Sequence, residues 1–399
     1  MNRMKQFLLY TAAALTLLGT LSACQDAEYS PLTGRGYISQ TQTRSFASQV
    51  VTVGHTAVTT DMNIRVSDPV TEDVSFKVAS NAKALEAYNA RYSTNYVLLD
   101  ETQYSITDSE GNPVSGVSIA KDQNMSPSLR IQINPMTEQM QESGQKYALA
   151  LTATSADGKV PMIESASSMV YILDRIPIQP VPVINYSTAI DRGKFNGKAE
   201  SFTQWTWETN VNMDLLGEGI GQLNNQYIFN FDGSGEIYIR FGDAPIDGRV
   251  LQIKTQGTQM NSQMMFSKNT WYHIAFVCTG NQVLLYVNGQ LDNTLDVGGE
   301  TYLITPGSEA DFSMCNTTYF RANAMFAEMR FWNVARSQAE IQNNMYSCDP
   351  TTPGLLCYFR FNEGKGGVFY DATWNNEEPR AWTKAKPSWR DDVRIDGKE

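Results

Sequence analysis

Val283-Leu284-Leu285-Tyr286-Val287-Asn288-Gly289-Gln290 decides the fold of the C-terminal half. A run of strand length, rich in valine, leucine and tyrosine, enters an Asn-Gly pair. That pair is the commonest tight hairpin signal, because both residues tolerate the positive φ of the turn. Trp271 to Cys278 supplies a partner strand. Working outward, strand-like runs dense in aromatic residues and Gly turns fill the chain from Ile184 to its end. The N-terminal half repeats the pattern more sparsely. Val50 to Val53, Met62 to Val66, Val74 to Val78, Leu129 to Ile133, Tyr147 to Leu151 and Ser168 to Leu173 alternate apolar with polar residues, so each has one face to bury. One helical stretch, Ala82 to Tyr92, interrupts them. Between the halves, Ile176 to Val183 reads Ile-Pro-Ile-Gln-Pro-Val-Pro-Val, and its three prolines favour an extended, stiff connector. The expected fold is all-β, with sandwich domains over residues 37–175 and 184–399 joined by a linker over 176–183.

The first residues read differently. Arg3 and Lys5 give a short basic segment, and Phe7 to Leu21 form an apolar run of signal-peptide length. It is too short to span a bilayer, which takes roughly 20 residues. Leu21-Ser22-Ala23-Cys24 follows and resembles the lipobox of bacterial lipoproteins, in which small residues before a Cys permit cleavage and the thiol carries diacylglycerol. The resemblance implies removal of residues 1–23, lipidation of Cys24 and a polar tether over 24–36. Several acyl chains hold a protein to a membrane more firmly than one, since each buried CH₂ contributes about 0.8 kcal/mol. The chain is therefore expected to be lipid-anchored at the outer membrane and exposed at the cell surface, with the inward-facing periplasmic leaflet as the open alternative. Its net charge of −11 argues against nucleic acid and against a basic patch held to anionic lipid.

Asp73-Val74-Ser75-Phe76-Lys77-Val78, Leu85-Glu86-Ala87-Tyr88-Asn89, Tyr96-Val97-Leu98-Leu99, Tyr104-Ser105-Ile106 and Tyr147-Ala148-Leu149 together resemble the N-terminal domain of unknown function of Bacteroidetes surface lipoproteins. The resemblance covers residues 28–175. It implies an immunoglobulin-like sandwich with a helical insertion, used as a spacer, and brings no activity with it. In the second half, Ser201 to Trp207, Trp271 to Phe276, Val283 to Gly289, Phe326 to Asn333 and Tyr358 to Gly364 are similar in order and spacing to laminin-G-like domains of the concanavalin-A-like jelly-roll superfamily. Ala335 to Ile341 matches that family's short helix, with Ser337 at the N-cap and Glu340 as its capping-box partner. This fold hosts lectins, adhesion modules and glycosidases alike, so it does not fix function.

Residues able to do chemistry are sparse. His55 and His273 are the only histidines, and His273 lies within a strand, where a structural hydrogen bond is the expected role. The sequence holds no His-pair metal motif, Gly-x-Ser-x-Gly elbow or phosphate-binding Gly loop. A glycosidase needs two carboxylates about 5 to 10 Å apart. Jelly-roll glucanases set them on one strand as Glu-x-Asp-x-Glu, and no such run occurs here. Glu208, Glu236, Glu328 and Glu363 each stand alone, so no catalytic residue is assigned and glycoside hydrolysis is kept as the alternative reading. Asp232 and Asp371 are candidate calcium ligands, although a hard cation needs six to eight oxygens and turn formation is the expected role of Asp232. No other cofactor is expected. Cys278, Cys315, Cys348 and Cys357 are expected as ordinary thiols, or as one or two incidental bridges, Cys348 and Cys357 being nearest in sequence.

Alternation assigns faces. From Phe202 to Glu208, Trp205 and Trp207 share one face, expected in the core, while Gln204, Thr206 and Glu208 share the other. From Glu236 to Phe241, Ile237, Ile239 and Phe241 face the core and Tyr238 and Arg240 face out. Gln252 and Lys254 form the outward set of Arg249 to Thr255, and Glu328 and Arg330 that of Phe326 to Trp332. Such a surface binds sugar by ring stacking and by charge-assisted hydrogen bonds to hydroxyls, and a merely solvated face is the plain alternative. Trp374, Trp382 and Trp389 fall in a tail read as loop-rich, where exposed indoles would stack on a ring. The expected function is non-catalytic binding of carbohydrate by a surface lipoprotein, alongside other glycan-utilisation proteins. A protein-adhesion or scaffolding module is the third reading.

Overall fold

The computed structural model describes residues 34–41, 47–195, 200–304 and 308–398. The leader, Cys24 and most of the expected tether lie outside them. Strands build both halves. In the N-terminal domain Ala47–Val53, Ser168–Arg175, Tyr147–Ser155, Val74–Ser80 and Gly116–Ile119 lie side by side in that order. Ala47–Val53 runs parallel to Ser168–Arg175. A second sheet of Val58–Met62, Leu129–Ile133 and Tyr104–Thr107 shares a core with the first that includes Phe76, Ile131, Leu151 and Tyr171. The Ala82–Tyr92 helix forms over the expected residues. The Asn81 side chain accepts from Ala84 N at its start, and Ser93 closes it in the left-handed conformation. Leu85 and Tyr88 anchor it on Ala148, Ala150 and Val170.

Two larger sheets make the C-terminal domain. The first runs Gln290–Asp296, Gln282–Val287, Trp271–Cys278, Trp205–Met213, Ala324–Trp332, Ile178–Ile184 and Ser388–Arg394, with Leu355–Phe359 also paired to Ala324–Trp332. The second runs Thr258–Asn261, Leu251–Thr255, Tyr238–Phe241, Gln226–Phe231, Phe312–Met314, Ile190–Gly193, Pro379–Thr383 and Val368–Tyr370. Between them lies an aromatic core of Trp205, Trp207, Phe229, Phe312 and Phe331, with the rings of Trp207 and Phe229 centred 5.0 Å apart. Both tryptophans are fully buried, as expected. The Asn288-Gly289 turn carries φ of +49° and +73° and joins Gln282–Val287 to Gln290–Asp296, the conformation that this residue pair favours.

Two readings of the chain's joints are corrected. The segment read as a Pro-rich linker is the Ile178–Ile184 strand, paired on both sides in the first sheet. Proline in a sheet removes a donor, and the pairing with Ser388–Arg394 shifts register between Gln179 and Val181, around Pro180. The stiffness that suggested a connector here serves an extended strand. The tail read as loop-rich supplies Val368–Tyr370, Pro379–Thr383 and Ser388–Arg394, which complete an end of each sheet. Cys278, Cys315, Cys348 and Cys357 are all unpaired and buried. Among the described residues no helix is long and apolar enough to cross a membrane.

A further layer covers the outer side of the first sheet. The Gln338–Asn343 helix starts at the expected capping box: Glu340 N donates to Ser337 Oγ, and Ser337 N donates to the Glu340 carboxylate at 2.7 Å. Its Ile341 packs on Ala275, Val277 and Tyr286, while Cys348 from the following loop packs on Trp332 and Tyr358. The N-terminal domain meets this layer where Gly144 lies against the Cys348 backbone and Arg360 donates to the Glu142 carbonyl.

Candidate functional site

The first sheet hides its polar residues. Glu208 sits mid-strand opposite Arg330 and is fully buried. Its Oε1 accepts from Trp332 Nε1 at 2.8 Å and Arg336 Nη1 at 2.7 Å, and Oε2 lies 3.2 Å from His273 Nε2. Arg330 Nε stands 3.5 Å from Oε1, an ion pair without a formed hydrogen bond. Burial pushes the Glu208 carboxyl up, but Arg330, Arg336 and the His273 hydrogen bond reverse this and hold it well below the usual carboxylate range. Arg336 precedes the Gln338–Asn343 helix and stacks 4.2 Å over Trp332, so the cluster ties helix to sheet. His273 has the structural role expected of it.

Alternation places Glu208 and Arg330 on the correct face but says nothing of what crosses over them. Arg330 donates to the carbonyls of Asn344 and Met345 at 2.7 and 3.3 Å, so the loop after the helix seals it. Glu328 departs further: a bulge gives it φ of +59°, and Tyr358 donates to its carboxylate in a site only 2% exposed. Burial pushes its carboxyl up. The expectation of Glu208, Glu328 and Arg330 as outward, ligand-ready groups is therefore corrected. Gln204, just before the Trp205–Met213 strand, stays exposed, with its amide donating to the Thr279 carbonyl at 3.1 Å.

The second sheet brings the remaining four residues together. Tyr238 pairs with Lys254 and Arg240 with Gln252 across adjacent strands, and Ile237, Ile239 and Phe241 turn into the core as expected. Arg240 is the hub. Its Nε and Nη2 donate to Gln252 Oε1 at 3.0 and 2.6 Å, and its Nη1 donates to Asn225 Oδ1 at 3.2 Å. Nη2 also donates to the Asp243 carboxylate. The Tyr238 hydroxyl donates to the same Asn225 oxygen at 2.7 Å, while its ring lies 5.1 Å from that of Tyr227 and 5.6 Å from the Arg240 guanidinium. Gln252 Nε2 donates to Asn261 Oδ1 at 2.8 Å, and Lys254 Nζ stands 3.8 Å from Glu236 Oε1. The clasp holds Arg240 and Gln252 at 8% and 1% exposure while Tyr238 and Lys254 remain partly open. Side chains fixed in this way lose little freedom on binding. Among the described residues, the apolar clusters that flank this domain's core all pack on the first sheet, leaving the outer side of the second without such a layer.

Sequence reading missed Tyr227, Asn225, Asp243 and Asn261. A register shift between Tyr227 and Phe229 breaks the alternation that would have marked Tyr227. The Asn224-Asn225 doublet closing a Gly-containing loop was the available signal, since Asn225 has φ of +61°, a conformation for which Asn is enriched.

The other candidates serve structural ends. Among the described residues no group of three or more His, Cys, Asp or Glu is placed to hold a metal ion. Asp232 accepts from Asn230 Nδ2 and its backbone N donates to the Asp311 carbonyl at 2.8 Å. Asp371 is fully buried, and its Oδ1 accepts from Tyr358 N, Thr373 N and Thr373 Oγ1 at 2.9, 2.9 and 2.8 Å. Burial pushes its carboxyl up to about 6. The tail indoles are half-buried rather than open: Arg380 lies 3.7 Å from Trp374, Arg192 lies 4.8 Å from Trp382, and Trp389 donates to the Gly366 carbonyl at 3.2 Å.

Residues 29–160 match a family model described as an N-terminal domain, and residues 191–342 match the laminin G model of the concanavalin A-like lectin/glucanases superfamily. No curated protein sequence matches the chain. Among solved structures, a candidate carbohydrate binding protein from Bacteroides ovatus is 20% identical, with 90% of this chain and 97% of that one covered at a TM-score of 0.63. A two-domain protein of unknown function from Bacteroides fragilis is 10% identical over 74% of this chain and 95% of its own, at a TM-score of 0.29. A heptameric SAP-like pentraxin from Limulus polyphemus is 14% identical over 42% and 81%, at a TM-score of 0.27. The likeness to the Bacteroides ovatus protein spans both domains. The chain is thus an all-β protein that over residues 191–342 is similar to the concanavalin A-like lectin/glucanases superfamily.

Proposed function

We propose that the chain is a lipid-anchored cell-surface protein that binds carbohydrate, without cleaving it, through the outer face of the second C-terminal sheet. The observation that carries this reading is the Arg240 clasp, which fixes from beneath the part-open Tyr238 ring and Lys254 ammonium on one pre-set, unlayered sheet face. A saccharide needs that combination, a ring face for its C–H groups and fixed polar partners for its hydroxyls. The name of the Bacteroides ovatus protein of the same fold agrees with it. So do the acidic composition, which disfavours polyanionic partners, and the lipobox-like Leu21 to Cys24. Enclosure of Glu208 and Glu328 favours binding over hydrolysis, because a glycosidase must present its carboxylates to the sugar bond. In this arrangement the N-terminal sandwich is a spacer.

A glycan array followed by calorimetry on the mature chain tests the proposal. Arg240→Ala and Lys254→Ala are each expected to weaken the glycan identified by about tenfold or more. Hydrogen bonds to charged groups are worth about 1.5–3 kcal/mol, and about 1.4 kcal/mol is a factor of ten. Unchanged affinity in both variants, or no glycan bound at millimolar concentration, would overturn it.

A further inference from the structure

The two domains meet along a cleft that plays no part in the reading above. Two cavities of about 400 and 420 Å³ adjoin there and share Tyr96, Gly144, Gln145, Lys146 and Asn343 in their walls. Each falls within the range of ligand pockets, about 300–1,000 Å³. The joint beneath them is close-fitting. A Cβ on Gly144 would lie 1.7 Å from the Cys348 carbonyl oxygen, and Arg360, 4.9 Å from the Tyr358 ring, donates across to the Glu142 carbonyl.

The polar groups of this cleft divide by charge. Among the described residues, the acidic groups of the second cavity are engaged: Glu340 accepts from Ser337 at 2.7 Å, and Asp349 accepts from Thr351 Oγ1 at 2.6 Å. The cations of the first are not. Lys146 and Arg175 line it half-buried, and no side-chain hydrogen bond or ion pair within 4.0 Å joins either ammonium or guanidinium to the chain. The hydroxyls of Tyr96 and Tyr346, in the same walls, are likewise unengaged. Asp174 stands exposed on the rim. Asp174 lies within electrostatic reach of Lys146 and Glu328 within reach of Arg175, but neither acid closes an ion pair with its cation. A half-buried cation with no hydrogen-bonded partner keeps part of its desolvation cost, and two of them beside two aromatic rings form a local complement to an anion that carries a ring.

We propose that the inter-domain cleft is a second ligand site that binds an acidic saccharide, with its carboxylate facing Lys146 and Arg175 and its ring against Tyr96 or Tyr346. The second cavity, with Thr94, Asn95, Asn344 and Thr352 in its walls, supplies amide and hydroxyl partners to an adjoining neutral sugar unit. That the ligand is a saccharide rests on the function proposed above. The preference for an anion rests on the two cations alone.

Calorimetry on the full mature chain distinguishes the two ideas. The probes are a galacturonate trisaccharide, a glucuronate-containing hexasaccharide and sialyllactose, each set against its uncharged counterpart, together with sodium sulfate. At least one acidic probe is expected to bind tenfold or more tightly than its neutral counterpart. Lys146→Gln and Arg175→Gln should each weaken it about tenfold, Lys146→Arg should restore it, and a neutral glycan saturating the sheet face should leave it unchanged. No acidic probe bound at millimolar concentration, equal binding of acidic and neutral sugars, or full affinity in both Gln variants would overturn the site. Sulfate binding as tightly as the best sugar would overturn its saccharide specificity. Failure of the sheet face to bind any neutral glycan would count against the previous proposal and leave this one standing.

Discussion

Glu208 shows what one residue can carry when no water reaches it. Its carboxylate is answered by Arg330, Arg336, His273 and Trp332 together. Removing one member of a buried ionic cluster leaves the others uncompensated, at a cost of about 3–5 kcal/mol. Glu208→Gln keeps the shape and deletes the charge, so urea unfolding at neutral pH is expected to show a loss of that size. A loss under about 1 kcal/mol would mean that the cluster behaves as if it were exposed. The pH dependence has a definite sign. The folded carboxyl titrates below its ordinary value of 4.5, so its stabilisation is complete above that value and is lost as pH falls toward the folded one. The gap between wild type and variant should therefore narrow below about pH 4.5. None of this was legible in the sequence, where Glu208 is a lone acid on an alternating strand and Arg336 lies far along the chain. Face can be read locally, whereas cover is a long-range fact.

At the scale of elements the sequence was most legible where local chemistry alone decides. The Ala82–Tyr92 helix and the Asn288-Gly289 hairpin formed where expected because an Asn cap and two positive-φ residues need nothing from the rest of the fold. The Ile178–Ile184 strand was misread because its prolines encode extension, and extension suits a linker and a strand equally. Alternation put Tyr238, Arg240, Gln252 and Lys254 on one face, but could not tell that Arg240 and Gln252 are buried there. Tyr227 and Glu328 were lost or misplaced at register shifts, which alternation cannot foresee. The Gln338–Asn343 helix was readable from its capping box, but its role as the cover over Glu208 was not. Ser337→Ala removes both side-chain bonds that start this helix, and loss of an N-cap costs about 1 kcal/mol. Hydrogen exchange at the amides of residues 338–343 is expected to quicken several-fold, while exchange in the Trp205–Met213 strand stays slow. Equal quickening in both would show that helix and sheet open only as one unit.

For the whole molecule, the decisive question is whether the two domains act as one body. The likeness to a single solved structure over 90% of the chain takes in both domains, and the proposed acidic-sugar cleft exists only if they stay docked. Gly144 offers a way to test the docking without touching the cleft's charged groups. It has φ of +64°, and an added Cβ would run into the Cys348 backbone, not into a side chain that can swing away. Gly158 supplies the control, with φ of +74° and nothing within 4 Å of an added Cβ. Alanine at either position carries the left-handed penalty of about 1–2 kcal/mol, but only Gly144→Ala must also push the domains apart. Small-angle scattering is expected to show a larger radius of gyration for Gly144→Ala and no change for Gly158→Ala, with thermal unfolding of the former separating into two transitions. An unchanged radius and a single transition in Gly144→Ala would show that the joint yields locally. The two sandwiches would then be held together by contacts other than the one at Gly144.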